Sequence, residues 1–254
     1  KGSIQIWEKP LPPTEPPIYS TVITTERWNK IGSDILGHNS GSCLGCGVSL
    51  NHDGSIMAVG APEYTNVTST KGYVQIYKWN GTVWSQIGSN IEGNNHYSLG
   101  NEVSINSTGN VVAIAASKWS TETPSTNDEG KGKIQVWVKG DVTLGWIQRG
   151  SDIVPPTGGS VSYYFGRTLK INDTGDKIVA GGFGPWNNGY AVPGIVLAFQ
   201  YIGNSWTNMG TNAKIAEGDN IGKNPGTVDM NSTGNLVACG LTDSVKVYKW
   251  DGSS

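Results

Sequence analysis

Two hydrophobic patterns take turns along the chain. In the first, a short stretch of mixed polarity runs through Asn-x-(Asp/Thr)-Gly into an almost wholly apolar run. The copies are VSLNHDGSIMAVG from Val48, VSINSTGNVVAIA from Val103, LKINDTGDKIVAG from Leu169 and VDMNSTGNLVACG from Val228. An apolar run this short, bounded by turn residues, reads as a strand buried on both faces. The glycine supplies the positive φ that a tight hairpin needs. In the second pattern polar and apolar residues alternate: GSIQIW, GYVQIY, GKIQVW, GIVLAF and SVKVYKW. Gln75 between Val74 and Ile76 has the period of two that marks a strand with one face on a core. Asn80-Gly81 then signals another hairpin.

A third marker sets the phase. Trp28, Trp84, Trp146 and Trp206 each stand four residues before a glycine, in WNKIG, WSQIG, WIQRG and WTNMG, at spacings of 56, 62 and 60 residues. Each unit therefore holds four short strands: inner, apolar second, alternating third, and an outer strand that carries the tryptophan. Four-stranded units repeated at a fixed period are the signature of β-propeller blades. A stacked β-solenoid is the rival reading, but its repeats run shorter. One such sheet cannot bury both faces alone, whereas blades packed around an axis bury them and leave only short edges. Small residues in the second strand (Ala58, Gly60, Ala113, Ala115, Gly181, Gly240) suit positions where blades converge. The expected organisation is one all-β propeller over 1–254, with a partial blade 1–32, blades 43–88, 100–150 and 166–210, and a partial blade 226–250. The chain opens and closes at a third strand, so a fragment of a larger propeller is the expectation.

Composition adds exclusions. The chain of 254 residues has 36 Gly, and ten Trp and ten Tyr against three Phe, with only 15% charged residues. Net charge is −2 and there is no basic run, which argues against nucleic acid as a partner. No apolar stretch of about eighteen residues exists to span a membrane as a helix. No signal peptide is visible, and the first residue is Lys1 rather than Met.

The candidate chemistry is sparse. Cys43 and Cys46 form CLGC just before an inner strand. The pair reads as half a zinc site, a redox pair, a local disulfide or inert thiols. His38, His52 and His96 show no ligand spacing, and Cys239 sits in an apolar strand as a small hydrophobe. Asp34, Asn90, Asp152 and Asn212 recur after the Trp-Gly marker, as cation ligands or as residues bonding their own turn. The loops between second and third strands vary most and share one rim. They carry Tyr64, Trp119, Trp186 and Tyr190, aromatics suited to sugar or protein recognition unless they only pack their own loops. Asn127-Asp128-Glu129 lacks the alternating acidic spacing of a calcium loop. Asn66, Asn80, Asn106, Asn172 and Asn231 head N-x-[ST] sequons, and the last three lie in the inner hairpin turn. The Pro-rich stretch 10–17 reads as a solvent-facing excursion.

Taken together, W-x-x-[IL]-G-[ST]-[DN]-I, [LF]-G-x-x-[VL]-x-[LI]-N-x-[DT]-G and G-x-[VI]-Q-[VI]-[YW] resemble FG-GAP-type propeller repeats. The resemblance is to the divergent form in extracellular proteins of marine bacteria and algae and in giant algal viruses. The Phe/Leu-Gly element stands at Leu44-Gly45, Leu99-Gly100 and Phe165-Gly166, and is lost where Pro225 replaces the glycine. The calcium-binding DxDxDG of some members is absent, as is the sialidase-type Asp box. The resemblance implies a structural or adhesion propeller on a cell or virion surface, contacting protein or glycan, or other parts of a larger assembly, through its loops. A lectin-like glycan binder is the alternative. A propeller hydrolase ranks below both, because Asp and Glu recur in no strand pair. No cofactor is implied.

Overall fold

The computed structural model describes residues 3–8, 28–37, 41–62, 71–94, 98–119, 130–141, 144–155, 164–182, 186–187, 190–191, 194–210, 216–217, 227–240 and 244–252. Among these, every regular element is a strand. Three blades are antiparallel meanders of four strands. The first runs Gly47–Leu50, Ile56–Ala61, Tyr73–Trp79, Trp84–Gln86. The second runs Glu102–Ile105, Val111–Ala116, Lys133–Lys139, Trp146–Gln148. The third runs Thr168–Ile171, Lys177–Gly182, Ile195–Ile202, Ser205–Asn208.

A leading half-blade precedes them, pairing Ser3–Ile4 with Ile35–Leu36 and Trp7–Glu8 with Asn29–Lys30. A trailing blade follows with Val228–Met230, Leu236–Gly240 and Val245–Lys249. Inner strands of neighbouring blades lie side by side. They are stitched by Ile105 N–H to Ser49 Oγ, Ile171 N–H to Ser104 Oγ and Val228 N–H to Thr168 Oγ1, each 3.1 Å. Inner strands therefore gather at an axis and tryptophan-bearing strands lie outermost, which is the arrangement of a β-propeller.

Burial follows from the pleat. Along the second strand of the first blade, Met57, Val59 and Ala61 face Ile4 and Ile6 of the half-blade, while Ala58 and Ile56 face Val103, Ile105, Val112 and Ile114 of the second blade. Val111, Ala113 and Ala115 face the third blade in turn. A strand used on both faces has no room for polar residues, so the apolar run is a packing requirement. The Leu/Phe-Gly element is the wedge between blades. Leu99 bridges Gly72 and Phe165 bridges Gly132, both fully buried at the start of the preceding third strand. Backbones meet so closely there that a Cβ on Gly60 would stand 1.9 Å from the Gly100 carbonyl oxygen.

The segment after each tryptophan, expected as a loop, is the second half of the outer strand. In the first blade Gln86 pairs with Tyr77 and Ile91 with Val74, so four outer residues oppose two. The same excess recurs between Gln148 and Ile153 against Ile134 to Trp137, and between Lys30 and Ile35 against Ile4 to Trp7. This bulge re-aims the backbone, and its glycine has positive φ: +71° at Gly32, +78° at Gly88, +77° at Gly150. The next blade's tryptophan fills the dent. Trp146 Cδ1 would lie 2.9 Å from a Cβ on Gly88, and Trp206 Cδ1 3.1 Å from one on Gly150. Trp146 Nε1 donates to Ile87 O at 3.2 Å and Trp206 Nε1 to Arg149 O at 2.9 Å. Trp84 sits on Gly32 in the same way, but its indole N–H finds no acceptor among the described residues.

Two substitutions grade these joints. Gly60→Ala should lower stability by about 3 kcal/mol or more, since the collision is with rigid backbone. Trp146→Phe should lose about 1 kcal/mol, the worth of one hydrogen bond. Urea midpoints of the two variants against the parent chain provide the comparison.

Candidate functional site

Three regions could carry chemistry: the rim between second and third strands, the polar cluster under the outer strand, and the inner hairpin turns. On the rim, Tyr64, Asn66 and Asn127-Asp128-Glu129 lie outside the described residues, as do His38, His96 and the Pro-rich stretch. Trp186 and Tyr190 fall in one short hairpin, with Trp186 opposite Ala191 and Asn187 opposite Tyr190. Trp119 belongs to a different blade. It is half-buried, its amide donates to Ala116 O at 3.0 Å, and its ring packs on the core between first and second blades. Lys133 Nζ stands 5.2 Å from the ring centroid, within reach of a cation–π contact.

Beneath the rim lies a cluster that the residue pattern did not reveal. The alternation around Gln75 suggested a solvated face, yet Gln75 is only 3% exposed. Its amide donates to Gln86 Oε1 at 3.2 Å and Asn90 Oδ1 at 3.1 Å, and its carbonyl accepts from Tyr77 O–H at 2.9 Å. In the second blade Gln135 and Gln148 donate to Asp152 Oδ1 at 3.0 and 2.8 Å, while Lys133 pairs with Oδ2 at 2.7 Å. In the half-blade Asp34 meets Lys30 at 2.5 Å and Gln5 at 3.5 Å. The recurrent Asx side chains thus bind the glutamines of adjacent strands rather than their own turn. Asn212 lies outside the described residues. Burial alone would raise the Asp152 carboxyl. The hydrogen bonds from Lys133, Gln135 and Gln148 and the Lys133 charge outweigh that and hold it below the usual carboxylate value. With both oxygens engaged, Asp152 serves as a brace. The third blade has Leu197 in place of glutamine and is apolar there.

The inner turns explain their own sequons. Asn172 Oδ1 accepts from Asp176 N–H at 3.0 Å and Lys177 N–H at 2.9 Å, and its Nδ2 donates to Thr174 Oγ1 at 2.9 Å and Asp176 Oδ1 at 2.8 Å. Asn106 and Asn231 repeat this set, and Asn106 Nδ2 also reaches Asp173 O of the next blade at 3.2 Å. Asn106 and Asn172 are 3% and 2% exposed. The expectation that these turns offer exposed acceptors is therefore corrected for both: the amide nitrogen a glycan would occupy is inside the turn, and the sequon threonine is one of its partners. Asn80 differs. It is exposed at the tip of the outer hairpin, and only its carbonyl is engaged, by Thr82 and Val83 N–H, each at 2.9 Å.

Cys43 and Cys46 are joined by a disulfide across a Cα separation of 5.7 Å. Cys239 is a buried thiol whose pKa burial pushes up to about 11. Among the described residues, no three His, Cys, Asp or Glu side chains come together so as to hold a metal ion. Glu102 starts the inner strand of the second blade where the first blade has Gly47 and the third Thr168. Burial pushes its carboxyl up to about 7, against the lowering charges of Lys170 and Arg167 of the third blade. Its only sequence signal is a carboxylate where the other copies carry small or hydroxyl residues.

Comparison with known proteins finds no matching family model and no matching curated protein. Solved structures do match. TolB from Acinetobacter baumannii is 12% identical over 82% of this chain and 41% of its own, with a TM-score of 0.40. The periplasmic gluconolactonase of Pseudomonas aeruginosa is 12% identical over 80% of this chain and 48% of its own, with a TM-score of 0.47. A chain of a mitotic checkpoint complex is 16% identical over 88% and 55%, with a TM-score of 0.48. The chain thus spans about half the length of these structures.

The site yields a pH prediction. Glu102 has a folded pKa above its ordinary value, so the folded state holds a proton that the unfolded state releases above about pH 4.5. Its contribution is full below that pH and is lost as pH rises through about 7. Glu102→Gln should therefore raise the urea midpoint relative to the parent at pH 8 and leave the difference near zero at pH 4. A pH series of denaturation curves for the two chains measures this.

Proposed function

We propose that this propeller is a non-catalytic scaffold of FG-GAP-like type that presents its rim loops to protein or glycan at a cell or virion surface. The observation that carries this reading is the fate of the recurrent residues. The tryptophans and glycines of the outer strand, the Leu/Phe-Gly wedge, the Asn-Thr-Gly turns and the Gln-Asx braces all work within a blade or between blades. What differs from copy to copy is the rim, and function lives in sites grafted on a fold. The Cys43–Cys46 disulfide supports an oxidising, extracytoplasmic setting. Trp119, half-buried at the rim, supports recognition through the part of its ring that the core leaves uncovered.

The lectin-like alternative gives the same rim a sugar ligand, and Trp119, Trp186 and Tyr190 are the rings it would use. A glycan array paired with capture of protein partners on immobilised chain separates the two. Protein capture that weakens at least tenfold in Trp119→Ala, with no sugar bound, is the result that removes the lectin-like alternative. Sugar binding lost in Trp119→Ala would establish the lectin instead. Turnover of any hydrolase substrate panel member would overturn the non-catalytic assignment.

A further inference from the structure

We propose that, among the described residues, Asn80 is the acceptor of an N-linked glycan, which stands at the end of the propeller opposite the rim. Two kinds of asparagine turn differ in what they ask of the side chain. In the inner turns the whole amide is used. Nδ2 of Asn106, Asn172 and Asn231 donates to the hydroxyl two residues on and to a side-chain oxygen four residues on. A sugar in place of one of those hydrogens breaks a bond of the turn and drives a ring into it. Asn106 and Asn172 are buried as well. A glycan attached there during synthesis would bar the native hairpin, so the folded chain cannot hold one.

The outer hairpin of the first blade is closed by an oxygen alone. Asn80 Oδ1 accepts from Thr82 and Val83 N–H, each at 2.9 Å, and Asn80 N–H reaches Val83 O at 3.3 Å. Asn80 Nδ2 and the Thr82 hydroxyl have no partner among the described residues. Asn80, Gly81 and Thr82 are all exposed. Gly81, at φ +95°, faces open space: a Cβ there would meet nothing within 4 Å. The equivalent hairpin of the second blade shows that the nitrogen is not needed. There Asp141 Oδ1 accepts from Leu144 N–H at 2.9 Å and does the same work with a carboxylate. The trailing copy also has aspartate at this turn, in Asp251-Gly252. The two groups of Asn80-Gly81-Thr82 that glycosyl transfer uses are thus surplus to the turn.

The donor is an oligosaccharide linked through its anomeric carbon to a lipid pyrophosphate. A bond forms between Asn80 Nδ2 and that carbon as the carbon–oxygen bond to the pyrophosphate breaks. The pyrophosphate leaves with the electron pair, and Nδ2 gives up one proton. Oδ1 is untouched, so both bonds that close the turn survive the modification. Trp79 and Trp84 pair across the base of the hairpin with ring centroids 5.4 Å apart, which gives the attachment point a firm footing. Val83, 47% exposed, lies beside it, and the first sugars cover that aliphatic surface. The third strand Tyr73–Trp79 is seven residues long, so at ~3.3 Å per residue the glycan emerges about 20 Å from the rim end of the blade. The variable loops are left open. Of the surface reading proposed above, the assignment needs only that the chain is exported.

Secretion of the chain from a eukaryotic cell, then a glycoamidase in heavy-oxygen water and peptide mass spectrometry, reads occupancy one asparagine at a time. Asn80 should become heavy-oxygen aspartate in most folded molecules, with occupancy at Asn106 and Asn172 at least about tenfold lower. Thr82→Ala should abolish the signal at Asn80 and Thr82→Ser should keep it, because the hydroxyl is restored. β-Sheet circular dichroism should be the same in all three chains, since the Thr82 side chain is exposed. An unmodified Asn80 in the secreted, folded chain overturns the proposal. So does ordinary-oxygen aspartate in its place, the product of water on a bare Asn-Gly amide. Occupancy of Asn106 or Asn172 equal to that of Asn80 in folded chains overturns it too. None of these outcomes touches the rim reading, which fails separately, by the array and the capture experiment.

Discussion

A four-stranded sheet with apolar side chains on both faces has no stable existence by itself, and every recurrent residue of this chain answers that constraint. The second strand is apolar throughout because both its faces are interior. Burial alone would let blades slide or splay. The bulge in the outer strand prevents this by opening a dent over a positive-φ glycine and turning a carbonyl outward. The following blade's indole fills the dent and caps the carbonyl, at Ile87 and Arg149. At the axis, Ser49, Ser104 and Thr168 hold the neighbouring inner strand. The two interfaces between whole blades are thus pinned at both radii.

Much of this was legible in the residues. The two hydrophobic periods and the Asn-Gly turns locate the strands, and the Trp-x-x-x-Gly marker gives the phase of each copy. Their partners were not legible, because periodicity reports which face is apolar and not what covers it. Gln75 shows the limit. Its polar side chain between Val74 and Ile76 suggests a wet face, but the bulged outer strand folds Asn90 back over it and satisfies the amide out of solvent. The segment Gly88–Asn90 looked like a loop because glycine, serine and asparagine break pattern in a strand as they do in a turn.

The candidate site was less legible. Aromatic residues at the rim are visible as composition, yet among the four singled out only Trp119 has a described side-chain environment, and its ring packs on the core. The sequons illustrate the opposite error. Asn and Thr two apart satisfy a modification pattern and also close a hairpin, and at Asn106 and Asn172 the second use takes up both hydrogens of the amide. Glu102 departs from Gly47 and Thr168 of the other copies, but a single charged residue in one copy, like Lys133, carries no repeated pattern to mark it as part of a site.

The one-way hand of the indole contact has a consequence for how such a molecule comes apart. Each ring reaches backward to one neighbour only, so among the described residues cohesion is a series of links between adjacent blades, and the array behaves as a nearly linear lattice. Loss of structure should then start at the least complete link and spread to its neighbours. Of the three links in which an outer-strand indole fills its glycine, that is the one at Gly32, where the Trp84 nitrogen has no acceptor among the described residues.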